Sequence, residues 1–381
     1  MKILVTDGEY KHTLGIVRSL GRRGHQVSVL ARDKRELAAC SRYCSSVEHV
    51  PHLRVENFPD IVLNVLEQQP YDLLMPVGYS STLAAASHQQ RIKTLTRLEI
   101  ADSGAIELAG DKKRVRELAL KLGLHAPETF YPTTIDEARS LAAQLPYPVV
   151  LKPPSEALPK GIRIVRSREE FVGALEDLRS GWPAACRELL PIVQRFVPGY
   201  GCGFFALYQN GVCKRVFMHR RIREYPPNGG SSCCAESFYD PALKAQGTKL
   251  LDALNWHGVA MVEFRYNPQE KNYVLLEVNP KFWGSLDLAL AAGADFPGYL
   301  CEMARGETLS YGEEYSYPLR FQWPFSGEVQ HLFARPAAFG SVAADFLNPR
   351  VGSNFSWSDL GPNAREFFVL LASLRRRVFR G

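Results

Sequence analysis

Hydrophobic and polar residues along the first hundred positions follow a pattern that predicts strands and helices in turn. Apolar runs typical of strands are each followed by a stretch with helical spacing. The predicted order is strand 3–6, helix 12–23, strand 26–31, helix 58–69, strand 71–77 and helix 80–90. Such alternation is typical of a parallel sheet with helices on its faces.

The pattern changes after about residue 101. Asp111 and Gly123 are the start and stop signals of a helix predicted over 112–123. Later apolar runs predict strands over 149–152 and 162–165, a helix over 169–178, then strands over 192–197, 203–208 and 212–218, and helices over 244–255 and 285–292. The stretch after about residue 310 shows no clear pattern.

One predicted hairpin carries an acidic residue on each strand. Its strands cover 259–264 and 273–280, and the polar residues between them are typical of a turn. Glu263 is expected opposite Glu277, and Asn279 shares the face of Glu277. Two facing carboxylates repel each other unless a proton or a cation lies between them. Because Mg²⁺ prefers oxygen ligands, the hairpin predicts a magnesium site for a nucleotide triphosphate. A solvent-facing acid pair is the alternative.

The composition is typical of a globular protein that is neither membrane-spanning nor secreted. With 381 residues, of which 46% are hydrophobic, the chain is expected to form two or three globular domains. No apolar run approaches the length of a membrane span, and the N-terminus has no secretory pattern. The eight cysteines lack the spacing of a metal site, which favours reduced thiols and a cytoplasmic location.

The net charge of +6 is concentrated at the C-terminus. Four arginines, Arg375, Arg376, Arg377 and Arg380, follow the apolar stretch 367–371. A short basic and apolar helix of this kind could make weak contact with an anionic membrane surface. A docked terminal helix with a solvated basic tip is the alternative interpretation.

Lys152 ends an apolar strand and precedes the loop 153–161. A lysine at this position could supply a point charge for phosphate oxygens. Ser155, Lys160 and Gly161 could add contacts if the loop folds over the phosphates. A proline-stiffened connector is the alternative.

Two further strands carry polar residues that suit a nucleotide site. Gln194 begins a strand edge that ends at Pro198 and could bind the edge of adenine, although a core strand is equally consistent. In the next basic stretch, His219, Arg221 and Arg223 are predicted on one face and Arg220 on the other. Arginines here could bind a phosphoryl group or a substrate carboxylate. A solvated basic edge strand is the alternative.

The N-terminal sheet does not carry a complete dinucleotide motif. Asp7, Gly8 and Gly15 do not form the full G-x-G-x-x-G pattern, so a nicotinamide-dependent oxidoreductase is the weakest hypothesis. The segment 75–81 lies at the carboxyl end of a predicted strand, where open sheets of this kind bind ligands. It is therefore the first place to expect a substrate.

Taken together, these motifs resemble the ATP-grasp superfamily, and more narrowly its carboxylate–amine ligases related to carbamoyl-phosphate synthase and biotin carboxylase. The resemblance extends from residue 1 to about residue 300, and its matching stretches are 110–112, 149–152, 193–199, 219–221, 262–264 and 277–280. It implies an α/β and α+β fold in which an N-terminal parallel, Rossmann-like sheet domain precedes a two-lobed ATP-grasp fold. The implied domains are 1–105, then 106–310 with a small lid lobe at about 125–190, and a C-terminal extension over 311–381.

The resemblance also implies roles for individual residues. ATP would be bound by Lys112, Lys152, Ser155, Lys160, Gly161, Gln194 and the backbone of Phe196 and Val197. One or two Mg²⁺ ions, or Mn²⁺, would be held by Glu263, Glu277 and Asn279. The catalytic residues would be Arg220, Arg221 and Lys281. Two positions depart from the family pattern, because many relatives carry arginine where this chain has Lys281 and a more glycine-rich loop in place of 153–161.

The implied activity is ATP-dependent phosphorylation of a small carboxylate, followed by attack of an amine on the acyl phosphate with release of ADP and phosphate. The expected partners are therefore a small-molecule carboxylate and an amine, with a possible homodimer and no nucleic acid. An ATP-binding module without ligase activity, acting as a sensor or assembly partner, is the alternative from another class.

Overall fold

The computed structural model describes residues 1–51, 53–155, 158, 161–227 and 229–378. The chain divides into two compact units built from non-consecutive segments. Unit 1 comprises Met1–Ile106, Gly203–Met261 and Asn279–Gly381, and unit 2 comprises Glu107–Cys202 and Val262–Val278. The consecutive domain ranges and the two lobes expected from the sequence stay a prediction.

The strands and helices have the following bounds. The strands are β1 Lys2–Val5, β2 Gln26–Ala31, β3 Ser46–His49, β4 Leu73–Met75, β5 Thr129–Phe130, β6 Val149–Lys152, β7 Arg163–Val165, β8 Ile192–Arg195, β9 Tyr200–Gln209, β10 Val212–Tyr225, β11 Ser231–Ser237, β12 Gly258–Asn267, β13 Asn272–Asn279, β14 Arg320–Gln322 and β15 Gly352–Ser353. The helices are α1 Lys11–Arg22, α2 Phe58–Gln68, α3 Tyr79–Ser87, α4 Gln89–Leu95, α5 Ser103–Gly110, α6 Lys112–Lys121, α7 Ile135–Ala142, α8 Arg168–Ser180, α9 Pro241–Ala253, α10 Leu286–Ala291, α11 Phe296–Ala304, α12 Val329–Ala334, α13 Phe339–Leu347 and α14 Leu360–Val378.

The N-terminal part of unit 1 contains the predicted parallel sheet, with strand order β3-β2-β1-β4. Ile3 and Val5 pack into one hydrophobic cluster and Leu4 into another, so β1 is covered on both faces. This double coverage explains why the strand is a continuous apolar run. The short edge strand β3 was not predicted, since Ser46 and Glu48 break its apolar pattern.

Unit 2 contains a four-stranded antiparallel sheet with order β5-β8-β6-β7. Val149, Leu151 and Val193 belong to the hydrophobic core on one face of this sheet. Helix α6 begins where the sequence predicts, because the Asp111 side chain accepts hydrogen bonds from the Lys113 and Arg114 amides at 2.8 and 3.0 Å. This cap fixes Lys112 at the first position of the helix.

A larger mixed sheet has the order β13-β12-β9-β10-β11-β14-β15. The acidic strands β12 and β13 are neighbours, as predicted, and Asn267 Oδ1 accepts hydrogen bonds from the Gln269 and Glu270 amides in the turn. Strand β10 continues to Tyr225, well beyond the predicted end at residue 218. It pairs with β11, which was not predicted as a strand.

The stretch after residue 310, which shows no clear sequence pattern, contributes β14 and β15 to the mixed sheet and forms α12, α13 and α14. Over the described residues, none of the helices has the length and apolar character required to cross a membrane. All eight cysteines are free thiols in this structure.

Candidate functional site

A cavity in unit 2 brings together several predicted nucleotide-binding residues. Its walls include Lys112, Arg116, Thr129, Tyr131, Gln194 and Leu275. The cavity has a volume of about 250 Å³, and this volume includes space that is open to solvent. Cationic, hydrogen-bonding and apolar groups therefore line a single concave site, which is the usual composition of a small-molecule site.

Lys112 and Glu277 form an ion pair in unit 2. Lys112 Nζ lies 3.4 Å from Glu277 Oε2, and the side chains are 8% and 19% exposed. An opposite charge at this distance favours the charged form of each group, because it offsets part of the cost of removing the other from water. The pair places a cation suited to phosphate next to an oxygen ligand suited to a metal.

Lys152 lies on the face of the unit 2 sheet that lines this cavity. In the antiparallel pair β6–β8, Lys152 is opposite Ile192, and Val150 is opposite Gln194. Side chains of paired residues share a face, and residues two apart on a strand share it as well. Because Ile192 and Gln194 line the cavity, the buried Lys152 side chain is directed to the same side.

Gln194 is held in place by a short hydrogen-bond chain. Its Nε2 donates to Thr129 Oγ1 at 3.2 Å, and the Thr129 hydroxyl donates to the Pro127 carbonyl at 2.9 Å. The Phe196 amide donates to the Pro148 carbonyl at 3.3 Å. Thr129 was not predicted, because an isolated threonine carries no motif.

The phosphate loop is described only in part. Ser155 forms an isolated β-bridge with Asp111, which places it beside the start of α6. A Cβ atom at Gly161 would come within 2.6 Å of Leu178 Cδ1, so a larger residue there would require the Leu178 side chain to move. Lys160 lies outside the described residues.

The predicted metal ligands lie on the two acidic strands. Glu263 and Glu277 are half-buried on β12 and β13, while Asn279 is buried at the end of β13, with Nδ2 4.0 Å from Met261 Sδ. Within the described residues, no three His, Cys, Asp or Glu side chains form a group able to hold a metal ion. The predicted ligand set contains two carboxylates and the amide of Asn279, so it is not a group of three such side chains.

In unit 1, a chain of ion pairs connects the arginines of β10 to the C-terminal segment. The contacts are Arg220–Glu236 at 2.5 Å, Arg320–Glu236 at 2.9 Å, Arg320–Asp345 at 3.0 Å, Arg223–Asp345 at 2.6 Å and Arg223–Glu328 at 2.9 Å. Burial raises the pKa of the Glu236 carboxyl, but hydrogen bonds from two arginines outweigh this effect and the net pKa is lowered. Glu236 therefore stays charged and holds Arg220.

The prediction that Arg223 lies on the same face of β10 as His219 and Arg221 is wrong. In the pairing of β10 with β11, Arg221 is opposite Ala235 and Arg223 is opposite Cys234, which is a β-bulge. The extra residue reverses the alternation, so Arg223 lies on the face opposite to Arg221. Arg223 is buried in its ion pairs, whereas Arg221 donates to the Gly230 carbonyl at 3.4 Å.

His219 is buried on β10 beside Arg220. Its Nε2 lies 2.6 Å from Ser285 Oγ, and its ring stacks on Phe205 with centroids 4.7 Å apart. Burial, together with the charge of Arg221, lowers the pKa of His219 to about 3. The imidazole is therefore neutral at physiological pH.

Acidification is expected to destabilise the protein partly through His219. Because the folded pKa is lower than the ordinary value of 6.5, the unfolded chain takes up the proton first as the pH falls. The stabilising contribution is complete above pH 6.5 and is lost toward about pH 3, at up to about 1.4 kcal/mol per pH unit. His219→Gln should give a shallower pH dependence of the free energy of unfolding in urea titrations. Equal slopes for both proteins would contradict the assignment.

The carboxyl end of β1 and β4 is organised by Asp7. Its carboxylate accepts hydrogen bonds from the Gly78 amide at 2.7 Å and from Ser81 Oγ at 3.0 Å. Strand order changes direction between β1 and β4, so the segment 75–81 lies at the switch point of the sheet.

A second cavity, in unit 1, lies beside that segment. Met75, Pro76, His257 and Lys281 are among its lining residues. The Asn210 amide donates to His257 Nδ1 at 3.0 Å, which leaves the proton of a neutral ring on Nε2, 2.8 Å from Glu99. Lys281 thus lines a site adjacent to the predicted substrate segment.

Comparisons with known proteins agree with these observations. No family model matches the chain. The carbamoyl phosphate synthase large chain of Myxococcus xanthus is 27% identical over 261 residues, which is 64% of this chain and 24% of that protein. The arginine-specific large chain of the Geobacillus stearothermophilus carbamoyl phosphate synthase is 25% identical over 211 residues, 53% of this chain and 20% of that protein.

The chain also resembles solved structures in its fold. The biotin carboxylase–beta-gamma-ATP complex from Campylobacter jejuni has a TM-score of 0.66 and 15% identity, covering 84% of this chain and 74% of that chain. The matches to the two curated relatives cover only about a fifth to a quarter of their length. In sequence and in fold, the predicted resemblance to the ATP-grasp superfamily and its carboxylate–amine ligases is confirmed.

Proposed function

We propose that the protein is an ATP- and magnesium-dependent ligase that joins a small carboxylate to an amine. The observation that supports the proposal most strongly is the ion pair between buried Lys112 and half-buried Glu277, because Lys112 lines the same cavity as Gln194. The likeness to carbamoyl phosphate synthase large chains, whose matched regions cover about half to two thirds of this chain, supports the same class of chemistry.

In this proposal the unit 2 cavity binds ATP. Lys112 and Lys152 contact the phosphates, with Ser155, Lys160 and Gly161 contributing from the loop. Gln194 binds adenine together with the backbone of Phe196 and Val197. Because the Phe196 amide already donates to Pro148, the Phe196 carbonyl is the group that would accept from the adenine amino group.

Glu263, Glu277 and Asn279 are the proposed ligands of one or two Mg²⁺ ions. Their oxygens fit a hard cation, and the positive charge of Lys112 beside Glu277 favours the ionised carboxylate that a metal ligand needs. When bound, magnesium would supply positive charge to the phosphoryl group during its transfer.

Arg220, Arg221 and Lys281 are the proposed catalytic residues. The Arg220 side chain is 44% exposed and is oriented by Glu236, so it presents a fixed cation rather than a mobile one. Lys281 lines the unit 1 cavity with Pro76, where we place the substrate carboxylate. A lysine gives a point charge at this position, without the paired donors of an arginine.

Phosphorylation gives the carboxylate a phosphate leaving group, which solves the poor reactivity of a free carboxylate toward amines. The attacking amine then forms the C–N bond, and inorganic phosphate leaves. Positive charge around the acyl phosphate stabilises both steps.

The test is ADP release from ATP in a library of mixed carboxylates and amines. A ligase should release ADP only when both substrates of a productive pair are present. Tight ATP binding without turnover in any mixture would favour the binding module instead, and a failure to bind ATP would reject both.

Lys112→Met is expected to weaken ATP binding by about tenfold to a hundredfold, since a phosphate contact and the partner of Glu277 are both lost. Lys121→Met is a matched control on the same helix, because Lys121 is exposed and lies at the opposite end of α6 from Lys112. Equilibrium binding of a non-hydrolysable ATP analogue measures the effect. Equal affinities of the two variants would contradict the role of Lys112.

A further inference from the structure

The C-terminal helices of unit 1 bury several polar residues and expose most of their large apolar residues, although Val342 and Leu370 are buried. On α13, Asp345 is buried while Phe346 and Leu347 are exposed, Leu347 by 85%. On α12, His331 is buried while Phe333 is exposed. This is the reverse of the pattern that a helix of a water-soluble domain normally shows.

The terminal helix α14 shows the same inversion most clearly. Its inner side carries Asn363 and Glu366, both buried. Its outer side carries an exposed stripe at helical spacing, formed by Ala364, Phe367, Phe368, Leu371, Ala372 and Arg375. These positions are related by steps of three and four residues, so they form one continuous face.

Hydrogen bonds hold the polar side of α14 inward. Glu366 accepts from Asn354 Nδ2 at 3.0 Å and from Ser326 Oγ. Asn363 Nδ2 donates to the Ser356 carbonyl at 2.8 Å. The helix is thus fixed with its apolar stripe facing away from the protein, and its orientation is not a consequence of loose packing.

The exposed charge of the C-terminal segment 329–381 is positive. Between residues 329 and 381 the acidic residues are Asp345, Asp359 and Glu366, and each is buried. Asp359 is paired with Arg18 at 2.8 Å, and Asp345 with two arginines. The same stretch contains seven arginines: Arg335, Arg350, Arg365, Arg375, Arg376, Arg377 and Arg380. The apolar, aromatic stripe therefore belongs to a segment that contains seven arginines and whose three acidic residues are all buried.

We propose that α14 docks, through this exposed stripe, on the surface of an anionic lipid bilayer. Apolar side chains would enter the region between headgroups and acyl chains, and the positive charge of Arg375 and of the arginines that follow it in the sequence would attract the acidic lipids. A second copy of the chain fits less well, because a two-fold contact through α14 would bring two segments of like positive charge together.

The test is co-sedimentation of the full chain with vesicles of phosphatidylcholine alone or mixed with phosphatidylglycerol. We expect binding to the mixed vesicles, little binding to the neutral ones, and a loss of binding as salt is raised. The double substitution of Phe368→Gln and Leu371→Gln should lower the partition coefficient between vesicles and water by about tenfold or more. Replacing arginines 375–377 by glutamine should lower it by on the order of a hundredfold.

Val212→Gln is the matched control, because Val212 is an apolar residue of unit 1 that is 55% exposed but outside this segment. It should bind as the original protein does, and thermal melts should show that all variants are folded. Equal binding to both vesicle types, or no loss in the Phe368 and Leu371 variant, would overturn the proposal. So would a lipid-free dimer that this variant converts to monomers, since a second copy would then cover the stripe.

Discussion

The substitution Glu277→Gln is expected to lower the rate of ADP release by about a thousandfold or more, while the protein remains folded. The substitution keeps the size of the side chain but removes the charge that would bind magnesium and that faces Lys112 at 3.4 Å. Without the metal, the phosphoryl group would lose its main source of positive charge during transfer. The measurement is steady-state ADP release with a productive substrate pair.

Glu270→Gln serves as the control for this change. Glu270 lies in the turn of the same hairpin, is exposed, and accepts a hydrogen bond from Asn272 Nδ2. Its isosteric replacement should leave turnover within about twofold of the original protein, as surface changes usually do. Similar activity of the two variants would show that Glu277 is not a metal ligand.

Arg223→Met is expected to reduce the free energy of unfolding by about 3–5 kcal/mol. Arg223 is the buried cation shared by Glu328 and Asp345, so its removal leaves two buried carboxylates with less compensation. Burial of an incompletely paired charge is among the most costly single changes in a protein. Urea unfolding followed by circular dichroism measures the loss.

Arg220→Met provides the comparison on the same strand. The Arg220 side chain is 44% exposed, and Arg320 remains to pair with Glu236, so the loss of stability should stay within about 1 kcal/mol. Its main effect should fall on turnover. If Arg220→Met were the more destabilising of the two, the assignment of Arg223 as the structural arginine would be wrong.

Local signals were sufficient to predict the elements that carry the proposed nucleotide site. The Asp111 cap defines the start of α6 and thereby the position of Lys112. The apolar run before Lys152 and the turn residues between the acidic strands gave β6, β12 and β13. Each of these signals is contained within a few neighbouring residues, which is why sequence alone reveals them.

Features that depend on distant residues were not predicted. The bulge between Arg221 and Arg223 is set by pairing with β11, and the partners of Arg223 come from positions more than a hundred residues later. Among the C-terminal helices, α12 and α13 were missed for another reason, whereas the expected basic, apolar terminal helix corresponds to the last part of α14. Most of the large apolar residues of α12 and α13 face outward, and Val342 of α13 is too isolated among buried apolar positions to give a helical pattern.

Calorimetric binding of a non-hydrolysable ATP analogue, with Mg²⁺ and then with a chelator, tests the central claim most directly. The account predicts binding that requires the metal, is lost in Glu277→Gln and is weakened in Lys112→Met. Binding of equal strength in the presence of the chelator and in both variants would contradict it, because neither the cation nor these two side chains would then hold the nucleotide.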